Sequence, residues 1–501
     1  MPHIAALMYT RAMSAIMLMG TCSNAGKSLL ATGLCRALVR RGLRVRPFKP
    51  QNMSNNAAVT IEGGEIGRAQ ALQARACGVP PASVMNPVLL KPQGESKAQL
   101  VVRGEIVGAM SAREYHRRAR EFLPTVLKSY RELANESDIV VVEGAGSPAE
   151  ANLRTNDIAN MGFAKAAGVN SVLIGDIERG GVIASIVGTM QLLDADDRQH
   201  MRGFIVNRFR GDAGLFTEGM DIIERHSGLM PLGLVPFFSQ ASNLPAEDSL
   251  DINTDTRKRE GSIRIAVPRL ARMANFDDFD PLLAETDVSL LFVPPGEVFP
   301  GNLDAVILPG SKATRADLAF MREQGWDVDI LAHRRRGGHI LGICAGYQML
   351  GKRVIDNEGI EGDAGESAGL GLLESETLLR PTKTLQEVRG KDSTGVSLRG
   401  YEMHIGETVA NTARPMLMLE NPSRQHGEIS ADGRIEGCYL HGIFSDDGFR
   451  HAWLNRLRKR VPGGLAYEQQ VEETLDALSK HIEQHINIER LLKIAAESKN
   501  T

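Results

Sequence analysis

The chain has 501 residues, of which 43% are hydrophobic and 24% charged, and its formal net charge at pH 7 is −3. The commonest domain size is about 150 residues, so two or three hydrophobic cores are expected and a single small domain is excluded. The composition is that of an ordinary globular protein and excludes collagen-like and disordered chains. The near-neutral charge gives no general attraction to nucleic acid or to anionic lipid, so neither is expected as a partner.

The chain carries no sequence mark of export, disulfide bonding or membrane insertion. An odd number of cysteines without a CxxC pair favours a reducing compartment over a disulfide framework or a zinc ribbon. Arg11 interrupts the apolar N-terminal run, which predicts a first β-strand over Ala15–Gly20 instead of an export signal. No stretch reaches the ~20 uninterrupted apolar residues of a membrane-spanning helix, and a cytoplasmic protein is expected. The five cysteines are Cys22, Cys35, Cys77, Cys344 and Cys438.

Short apolar runs alternate with helical periodicity through the first half of the chain. A helix is predicted from about Ser28 to Arg41. Apolar runs that end in glycine or in a polar loop follow it at 43–49, 137–146, 170–176 and 201–209. This alternation is typical of parallel βαβ units. The polar stretch near 245–262 has no apolar period and predicts a linker.

A second series of apolar runs predicts a second α/β domain after the linker. The tail from Leu478 onward has apolar residues at helical spacing and predicts a closing helix, with a partner-binding helix as the alternative. We therefore expect a first domain over 1–250 and a second over 251–501, with its core at about 262–450. The apolar runs of the second series lie at 262–270, 288–296, 303–311, 337–344 and 437–444.

A glycine-rich loop follows the first predicted strand and opens the first predicted helix. In this context backbone N–H groups and a helix N-terminus bind phosphate oxygens. Lys27 is expected at the β- and γ-phosphates of ATP and Ser28 on Mg²⁺. Five residues separate the two glycines where the common pattern has four, and a glycine-rich turn with an incidental Lys-Ser pair is the alternative. The residues predicted to bind ATP here are Asn24, Ala25, Gly26, Lys27 and Ser28.

Polar side chains end or follow several other predicted strands of the first half. Glu143 closes an apolar strand, where a carboxylate can reach the metal of a bound nucleotide, and it is predicted to bind Mg²⁺. Asn207 is expected to contact the adenine of ATP or, alternatively, to form a turn. Asp157 and Asp176 are expected either to contact substrate or to cap helices.

Cys344 lies between a predicted strand and a predicted helix, with small residues on both sides in Gly342-Ile343-Cys344-Ala345-Gly346. Such residues permit a sharp turn that places the sulfur at a helix N-terminus, where a thiolate is stabilised. Cys344 is therefore predicted to be a nucleophile, and a packing cysteine is the alternative.

An acyl-transfer nucleophile also needs an oxyanion site and a base. Gly310 and Ser311 follow an apolar strand and are predicted to offer backbone N–H groups to an oxyanion. His441, at the end of another predicted strand, is the predicted base, since a Cys/His pair is close in space and not in sequence. His404 is the alternative base.

These features resemble two known enzyme families. The long phosphate loop resembles that of dethiobiotin synthetase and its relatives. The cysteine turn, the Pro309-Gly310-Ser311 loop and the distal histidine are similar to the class I, triad-type glutamine amidotransferases. The resemblance implies an α/β protein of two doubly wound domains, a P-loop dethiobiotin-synthetase-like domain followed by a flavodoxin-like amidotransferase domain.

The resemblance also assigns roles to single residues. Lys49 stands where the superfamily places a lysine near the transferred phosphoryl group, and a surface lysine is the alternative. Most triad-type members have a glutamate two residues after the histidine, whereas this chain has Ile443. The residue that orients His441 is therefore open, with Glu402 as a candidate.

Further segments are similar to the cobyric acid synthases, over about residues 15–455. This resemblance implies ATP- and glutamine-dependent amidation of the b, d, e and g carboxylates of adenosylcobyrinic acid a,c-diamide, giving adenosylcobyric acid in cobalamin biosynthesis. Glutamine and a corrinoid polycarboxylate are then substrates, and no tightly bound organic cofactor is expected. The similar segments are 47–56, 65–70, 86–92, 157–161 and 176–181.

Amide side chains replace the second metal carboxylate of other relatives, and Gln51 and Asn52 among them are expected to contact substrate. A cobyrinic acid a,c-diamide synthase is an alternative, but it would carry a Gly-Pro-Asp-Tyr segment after the second strand, and this chain has none. Two further candidate functions are a regulatory P-loop ATPase with a non-catalytic amidotransferase-like module and a nucleotide-regulated cysteine hydrolase. The order of the amidations, the path of ammonia and homo-oligomerisation are left open.

Overall fold

The structure is a computed structural model that describes residues 14–92, 97–245, 261–410, 414–461 and 463–498. The N-terminal run 1–13 and most of the predicted linker near 245–262 lie outside these ranges.

The first domain contains twelve strands and eight helices within the described ranges. Its strands are β1 (Ser14–Gly20), β2 (Val45–Phe48), β3 (Gln51–Met53), β4 (Ala57–Val59), β5 (Glu65–Gly67), β6 (Val88–Pro92), β7 (Lys97–Val102), β8 (Glu105–Ser111), β9 (Ile139–Glu143), β10 (Asn170–Asp176), β11 (Met201–Phe209) and β12 (Met230–Pro236). Its helices are α1 (Lys27–Arg40), α2 (Arg68–Ala76), α3 (Ala112–Arg118), α4 (Leu123–Glu136), α5 (Met161–Ala167), α6 (Val182–Leu192), α7 (Ala195–His200) and α8 (Thr217–Ser227).

A six-stranded parallel sheet forms the centre of this domain, in the order β12-β11-β10-β1-β9-β2. The central strands read as continuous apolar runs because helices cover both faces of the sheet. Their carboxyl ends meet at one edge, which brings the phosphate loop after β1 close to the ends of β2, β9 and β11. This edge is where an open α/β sheet binds its ligands.

A smaller sheet, β3-β6-β7-β8, and the hairpin β4-β5 extend the first domain towards the second. Successive residues of β6 point to opposite faces. Leu90 belongs to the core of the first domain, whereas Leu89 packs with Met403 of the second domain. This small sheet therefore contributes directly to the junction between the domains.

The second domain contains fifteen strands and five helices within the described ranges. Its strands are β13 (Ile263–Pro268), β14 (Met273–Ala274), β15 (Val288–Val293), β16 (Ala305–Leu308), β17 (Gly310–Ser311), β18 (His339–Ile343), β19 (Arg353–Asp356), β20 (Gly365–Ala368), β21 (Glu376–Asp392), β22 (Ser397–Val409), β23 (Leu417–Glu420), β24 (Ser423–His426), β25 (Glu428–Ile429), β26 (Ile435–Cys438) and β27 (Leu440–His441). Its helices are α9 (Asp280–Ala284), α10 (Thr314–Glu323), α11 (Trp326–Arg335), α12 (Ala345–Leu350) and α13 (Asp447–Leu457).

The main sheet of the second domain has the order β15-β13-β16-β18-β26-β25. Its five parallel strands, counted along the chain, follow the order 2-1-3-4-5 of flavodoxin-like folds, and β25 is antiparallel. A second sheet is built on the long hairpin β21-β22, and β22 pairs with β27. The predicted fold class, two doubly wound α/β domains, is confirmed.

The tail forms two helices, α14 (Tyr467–His485) and α15 (Ile488–Ala496), and both pack on the first domain. A Cβ added at Gly33 of α1 would lie 2.6 Å from Ile482 Cγ1, so α1 and α14 are in close contact. Arg36 of α1 pairs with Asp476 at 2.8 Å. The tail thus closes the core of the first domain. No helix in the described ranges is both long and apolar enough to cross a membrane.

Candidate functional site

The phosphate loop runs from β1 to α1 and turns at Gly26, whose φ is +87°. A Cβ at this position would lie 2.3 Å from Asn207 Nδ2, so the turn requires glycine for both its conformation and its contact. Lys27 Nζ donates to the carbonyl oxygens of Ser23 at 3.0 Å and of Gly146 at 3.1 Å. The Lys27 ammonium therefore lies at the loop and at the N-terminus of α1, where an anionic ligand is favoured.

Glu143, at the end of β9, is fully buried and joins the polar residues of the nucleotide site. Its Oε1 accepts hydrogen bonds from Ser28 Oγ and from Lys49 Nζ, both at 2.7 Å. Its Oε2 accepts from the amides of Gln73 at 2.5 Å and of Gln70 at 3.5 Å. The structure thus brings Ser28, Lys49 and Glu143 together, and Lys49 is buried instead of lying on the surface.

The sequence analysis missed Gln70 and Gln73. They lie three residues apart on α2 and therefore on one face of that helix. Both are fully buried. Two amides at helical spacing on a buried face are the signal that could have identified them, since a buried amide needs a polar partner.

Ser28 and Glu143 form a donor set that fits Mg²⁺. A hydroxyl and a carboxylate lie 2.7 Å apart beside the phosphate loop. Magnesium is usually bound by one or two protein oxygens together with substrate phosphates and water. No cluster of three or more His, Cys, Asp or Glu in the described ranges could hold a metal by itself.

The side chain of Asn207 reaches the phosphate loop. Its Nδ2 donates to the carbonyl oxygen of Ala25 at 2.9 Å, across the point where a Cβ on Gly26 would lie. This contact supports the loop conformation. Asn24 lies in the same loop and lines the large cavity described below.

The carboxylates of Asp157 and Asp176 both accept hydrogen bonds from nearby groups of the protein. Asp157 accepts hydrogen bonds from backbone N–H groups at the start of α5, including that of Gly162 at 2.7 Å. Asp176 binds Arg208 Nη1 at 3.0 Å and the N–H of Glu178 at 2.8 Å. These contacts favour the helix cap for Asp157 and a local ion pair for Asp176.

A cavity of about 1640 Å³ opens above the carboxyl edge of the first sheet. Gln51 and Asn52 line it together with Lys27 and Glu143, and Phe276 of the second domain contributes to the wall. Drug-sized ligands occupy pockets of about 300–1,000 Å³. The cavity can therefore hold more than a nucleotide.

Cys344 lies at the sharp turn between β18 and α12, with φ 55° and ψ −112°. This conformation is strained for a residue other than glycine and is typical of functional sites. A Cβ on Gly346 would lie 2.1 Å from the carbonyl oxygen of Leu308, and one on Gly342 would lie 2.6 Å from that of Gly346. The small neighbours of Cys344 therefore let α12 pack directly against the sheet.

His441 lies beside Cys344 and is oriented by Asp278. Its Nδ1 is 2.7 Å from Asp278 Oδ2, and Asp278 Oδ1 accepts from the N–H of Gly442 at 2.6 Å. Burial alone would lower the pKa of His441. The negative charges of Asp278 and of the Cys344 sulfur, with hydrogen bonds to both groups, raise that pKa to about 10. The arrangement favours an imidazolium that faces the sulfur.

Asp278, and not Glu402, is the residue that orients His441. The Glu402 carboxylate instead accepts hydrogen bonds from Arg424 and Gln386. Asp278 is 163 residues from His441 in sequence, in the short turn Phe276–Phe279. Two adjacent carboxylates between Phe276 and Phe279 were a weak signal, because the partner of Asp278 is brought close only by the fold.

His404, the alternative base, has a different environment. Burial is the main cause that lowers its pKa to about 4. Its Nδ1 lies 3.2 Å from the carbonyl oxygen of Gly406, and its ring stacks on Tyr439 at 3.7 Å between centroids. A neutral ring fixed in this way is less suited than His441 to exchange protons with Cys344.

The predicted oxyanion loop lies against the ring of His441. Gly310 and Ser311 form β17, which pairs with β14 (Met273–Ala274). A Cβ on Gly310 would lie 3.0 Å from His441 Cε1. Ser311 Oγ donates to Asp317 at 2.6 Å. The loop is therefore held close to the predicted nucleophile and base.

Four charged residues meet at the junction of the domains, Glu65 and Lys91 buried and two lysines partly buried, and we call them the junction cluster: Glu65, Lys91, Lys312 and Lys383. Glu65 and Lys91 of the first domain pair with each other, and Lys383 Nζ lies 2.8 Å from Glu65 Oε1. Burial lowers the pKa of Lys91 to about 7 and that of Lys383 to about 8. The charge of Cys344 acts on both Lys312 and Lys383, so the cluster lies near Cys344.

Comparisons with known proteins agree with this architecture. Residues 16–252 match the family model of the CobQ/CobB/MinD/ParA nucleotide binding domain, and residues 264–449 match that of the CobB/CobQ-like glutamine amidotransferase domain. A cobyric acid synthase of Cereibacter sphaeroides is 54% identical over 96% of this chain and 100% of its own length. One of a Jannaschia species is 53% identical over 96% of this chain and 99% of its own length. A crystal structure of a glutamine amidotransferase covers 38% of this chain and 97% of its own, at 18% identity and a TM-score of 0.30, which is too low to support an argument.

Proposed function

Because the chain belongs to the cobyric acid synthase family, we propose that it amidates the b, d, e and g carboxylates of adenosylcobyrinic acid a,c-diamide to give adenosylcobyric acid. The enzyme is a glutamine-hydrolysing amidoligase, and ATP and glutamine are its proposed co-substrates. The observation that carries the proposal is the presence, in one chain, of the Cys344, His441 and Asp278 arrangement and of a phosphate loop at a large shared cavity.

The second domain releases ammonia from glutamine. The Cys344 sulfur attacks the side-chain amide carbon, and the imidazolium of His441 gives its proton to the departing ammonia. The resulting thioester is hydrolysed by water, with His441 as the base, to give glutamate and the free thiol. Backbone N–H groups of the Gly310–Ser311 loop stabilise the oxyanion of each tetrahedral intermediate.

The first domain makes a carboxylate reactive. A carboxylate resists attack by ammonia because oxide is a poor leaving group, and transfer of the γ-phosphoryl group of ATP gives an acyl phosphate and ADP. Ammonia then attacks the acyl carbon, phosphate leaves, and the amide forms. Lys27 and Lys49 offset the phosphate charge, and Ser28 and Glu143 would hold a Mg²⁺ ion that would supply further charge neutralisation.

Ammonia has to travel between the two centres without taking up a proton. The junction cluster contains three lysines and one carboxylate, and so carries a net positive charge whenever at least two of the lysines are protonated. Such a cluster disfavours the ammonium ion and tolerates neutral ammonia. This supports a route for ammonia through the junction.

Mass spectrometry of the corrinoid product tests the whole reaction. Incubation with ATP, glutamine and adenosylcobyrinic acid a,c-diamide is expected to give four successive mass decreases, each equal to replacement of OH by NH₂. Amidation of cobyrinic acid itself at only two positions would favour the a,c-diamide synthase instead. ATP turnover without any corrinoid product would favour a regulatory ATPase.

A further inference from the structure

Arg68 begins α2 in the first domain, yet its side chain makes its charged contact in the second domain. Its Nη2 lies 2.6 Å from Asp277 Oδ2 and donates to Tyr401 Oη at 2.6 Å. The side chains of Arg68 and Asp277 are only 16% and 10% exposed. The ion pair is therefore well shielded from water and is stronger than a surface pair.

The two partners of Arg68 are linked to the proposed glutaminase base in different ways. Asp277 precedes Asp278 in the chain, and Asp278 binds His441 Nδ1. The Tyr401 ring stacks on the His441 ring with 5.4 Å between centroids and 22° between planes. Tyr401 and His441 also pair across the β22-β27 ladder. Arg68 thus binds one group that contacts the imidazole, Tyr401, and the chain neighbour of the other, Asp278.

The positive charge of Arg68 offsets the repulsion between two adjacent carboxylates of the second domain. Asp277 and Asp278 are adjacent carboxylates in a buried turn. Burial and the charge of Asp278 raise the pKa of Asp277, whereas Arg68 acts to lower it. Without the guanidinium, Asp277 would take up a proton or move towards water, and either change would disturb the turn that holds Asp278.

Arg68 makes these contacts through one terminal nitrogen. Nη2 binds both Asp277 and Tyr401, and it approaches the carbonyl oxygen of Ala57 at 3.3 Å. A lysine ammonium would keep the positive charge, but it lacks the planar shape and the full reach of a guanidinium.

We propose that Arg68 of the ATP-binding domain is a positioning residue for the glutaminase reaction, holding Asp277 and Tyr401 and through them the His441 imidazole opposite Cys344. This inference rests on the proposed glutaminase activity of Cys344. It implies that the glutaminase centre is complete only when both domains are in contact.

The test compares Arg68→Met and Arg68→Lys with Arg75→Met in the full-length protein. Arg75 lies on the same helix but pairs with Glu468 and Glu472 of α14, both at 2.7 Å. Each variant is assayed for glutamine hydrolysis, as kcat and KM separately, and for amidation with ammonium chloride in place of glutamine.

Arg68→Met is expected to lower kcat for glutamine hydrolysis by about 10- to 100-fold, because small displacements of a catalytic group cost rates of that order. KM is expected to stay close to the wild-type value, and ammonia-dependent amidation is expected to persist. Arg68→Lys should recover part of kcat, and Arg75→Met should resemble the wild type in both assays.

Wild-type kcat in Arg68→Met would overturn the proposal. An equal loss of glutamine-dependent and ammonia-dependent amidation would also overturn it, since Arg68 would then act through the stability of the whole protein. Failure of the wild type itself to hydrolyse glutamine would contradict the proposed function and not the placement of Arg68.

Discussion

The glutaminase centre and the nucleotide site hold their charged groups in different ways. In the proposed glutaminase centre, Asp278 contacts Nδ1 of His441. The same ring also forms a hydrogen bond with Cys344. In the nucleotide site, Ser28 and Lys49 converge on one carboxylate, Glu143.

The difference shows how each site meets its substrate. In the proposed mechanism, the glutaminase groups would keep their mutual contacts while the amide of glutamine is attacked, so this centre would be preorganised. Ser28 and Lys49 would instead have to exchange contacts with Glu143 for contacts with phosphate and metal. We therefore expect substitutions in the first site to act on chemistry alone, and those in the second to act on binding and chemistry together.

The largest effect is expected from Cys344→Ala. Glutamine-dependent amidation should fall by at least about 10³-fold, because the nucleophile is lost. Amidation with ammonium chloride should persist, since the first domain needs only free ammonia. Product analysis by mass spectrometry measures both. Cys438→Ala, another buried cysteine of the second domain, is the control and should retain both activities. Failure of ammonium chloride to support amidation in Cys344→Ala would contradict the division of labour between the domains.

Asp278→Asn is expected to lower glutamine hydrolysis by about 10²- to 10⁴-fold, the range seen when the orienting carboxylate of a catalytic triad is lost. The pH profile should change as well. Asp278 is the main group that raises the pKa of His441 to about 10, so the amide variant should have a lower pKa at His441. The protonated imidazole is the acid for ammonia, and the alkaline decline of kcat/KM should move to lower pH. Glu402→Gln is the control, and a shift of the same size there would contradict the assignment of Asp278.

Glu143→Gln keeps the shape of the side chain and removes its charge. We expect glutamine-dependent and ammonia-dependent amidation to fall together, by about 10²-fold, because phosphoryl transfer depends on charge stabilisation. Glutamine hydrolysis measured without ATP should be unchanged. Glu132→Gln, which removes a carboxylate paired with Arg103 away from the loop, is the control. Unimpaired ammonia-dependent amidation in Glu143→Gln would exclude this carboxylate from the metal site.

The smallest effect is expected from Lys383→Met in the junction cluster. Each turnover of glutamine should yield less amide, because ammonia that meets a less positive junction is more readily protonated and lost. The ratio of amide to glutamate, measured in one reaction mixture, should fall a few-fold, and this ratio is independent of any change in kcat that follows from loss of a cation near Cys344. Lys352→Met, an exposed lysine paired with Glu374, is the control. A ratio equal to the wild-type value would contradict a role of the junction cluster in ammonia transfer.

Local sequence patterns predicted the parts of the site that are built from neighbouring residues. The phosphate loop around Lys27 and the turn at Cys344 each follow a strand and open a helix, and the glycines around them reveal the close packing. Glu143 was predictable for the same reason, since it closes a buried strand of a parallel sheet.

Residues whose partners are brought close only by tertiary contacts were not predictable in this way. Asp278 and Arg68 have no local pattern that names their partners. No local pattern pointed from Glu402 to His441 either. Gln73 was missed because the spacing of Gln70 and Gln73 indicates a common helix face but does not by itself show that this face is buried. The tail was predicted as a helix, but its apolar period did not reveal which domain it would cover.

The return of the tail to the first domain affects the order in which the protein can assemble during synthesis. Leu478, Ile482 and Leu491 complete the same apolar core as Ile16 and Leu34, near the opposite end of the chain. A ribosome delivers the ATP-binding segment first, but the helices that cover one face of its sheet emerge only after the entire glutaminase segment. The core of the first domain can therefore be completed only after the second domain has been synthesised, and we expect removal of the tail to destabilise the first domain.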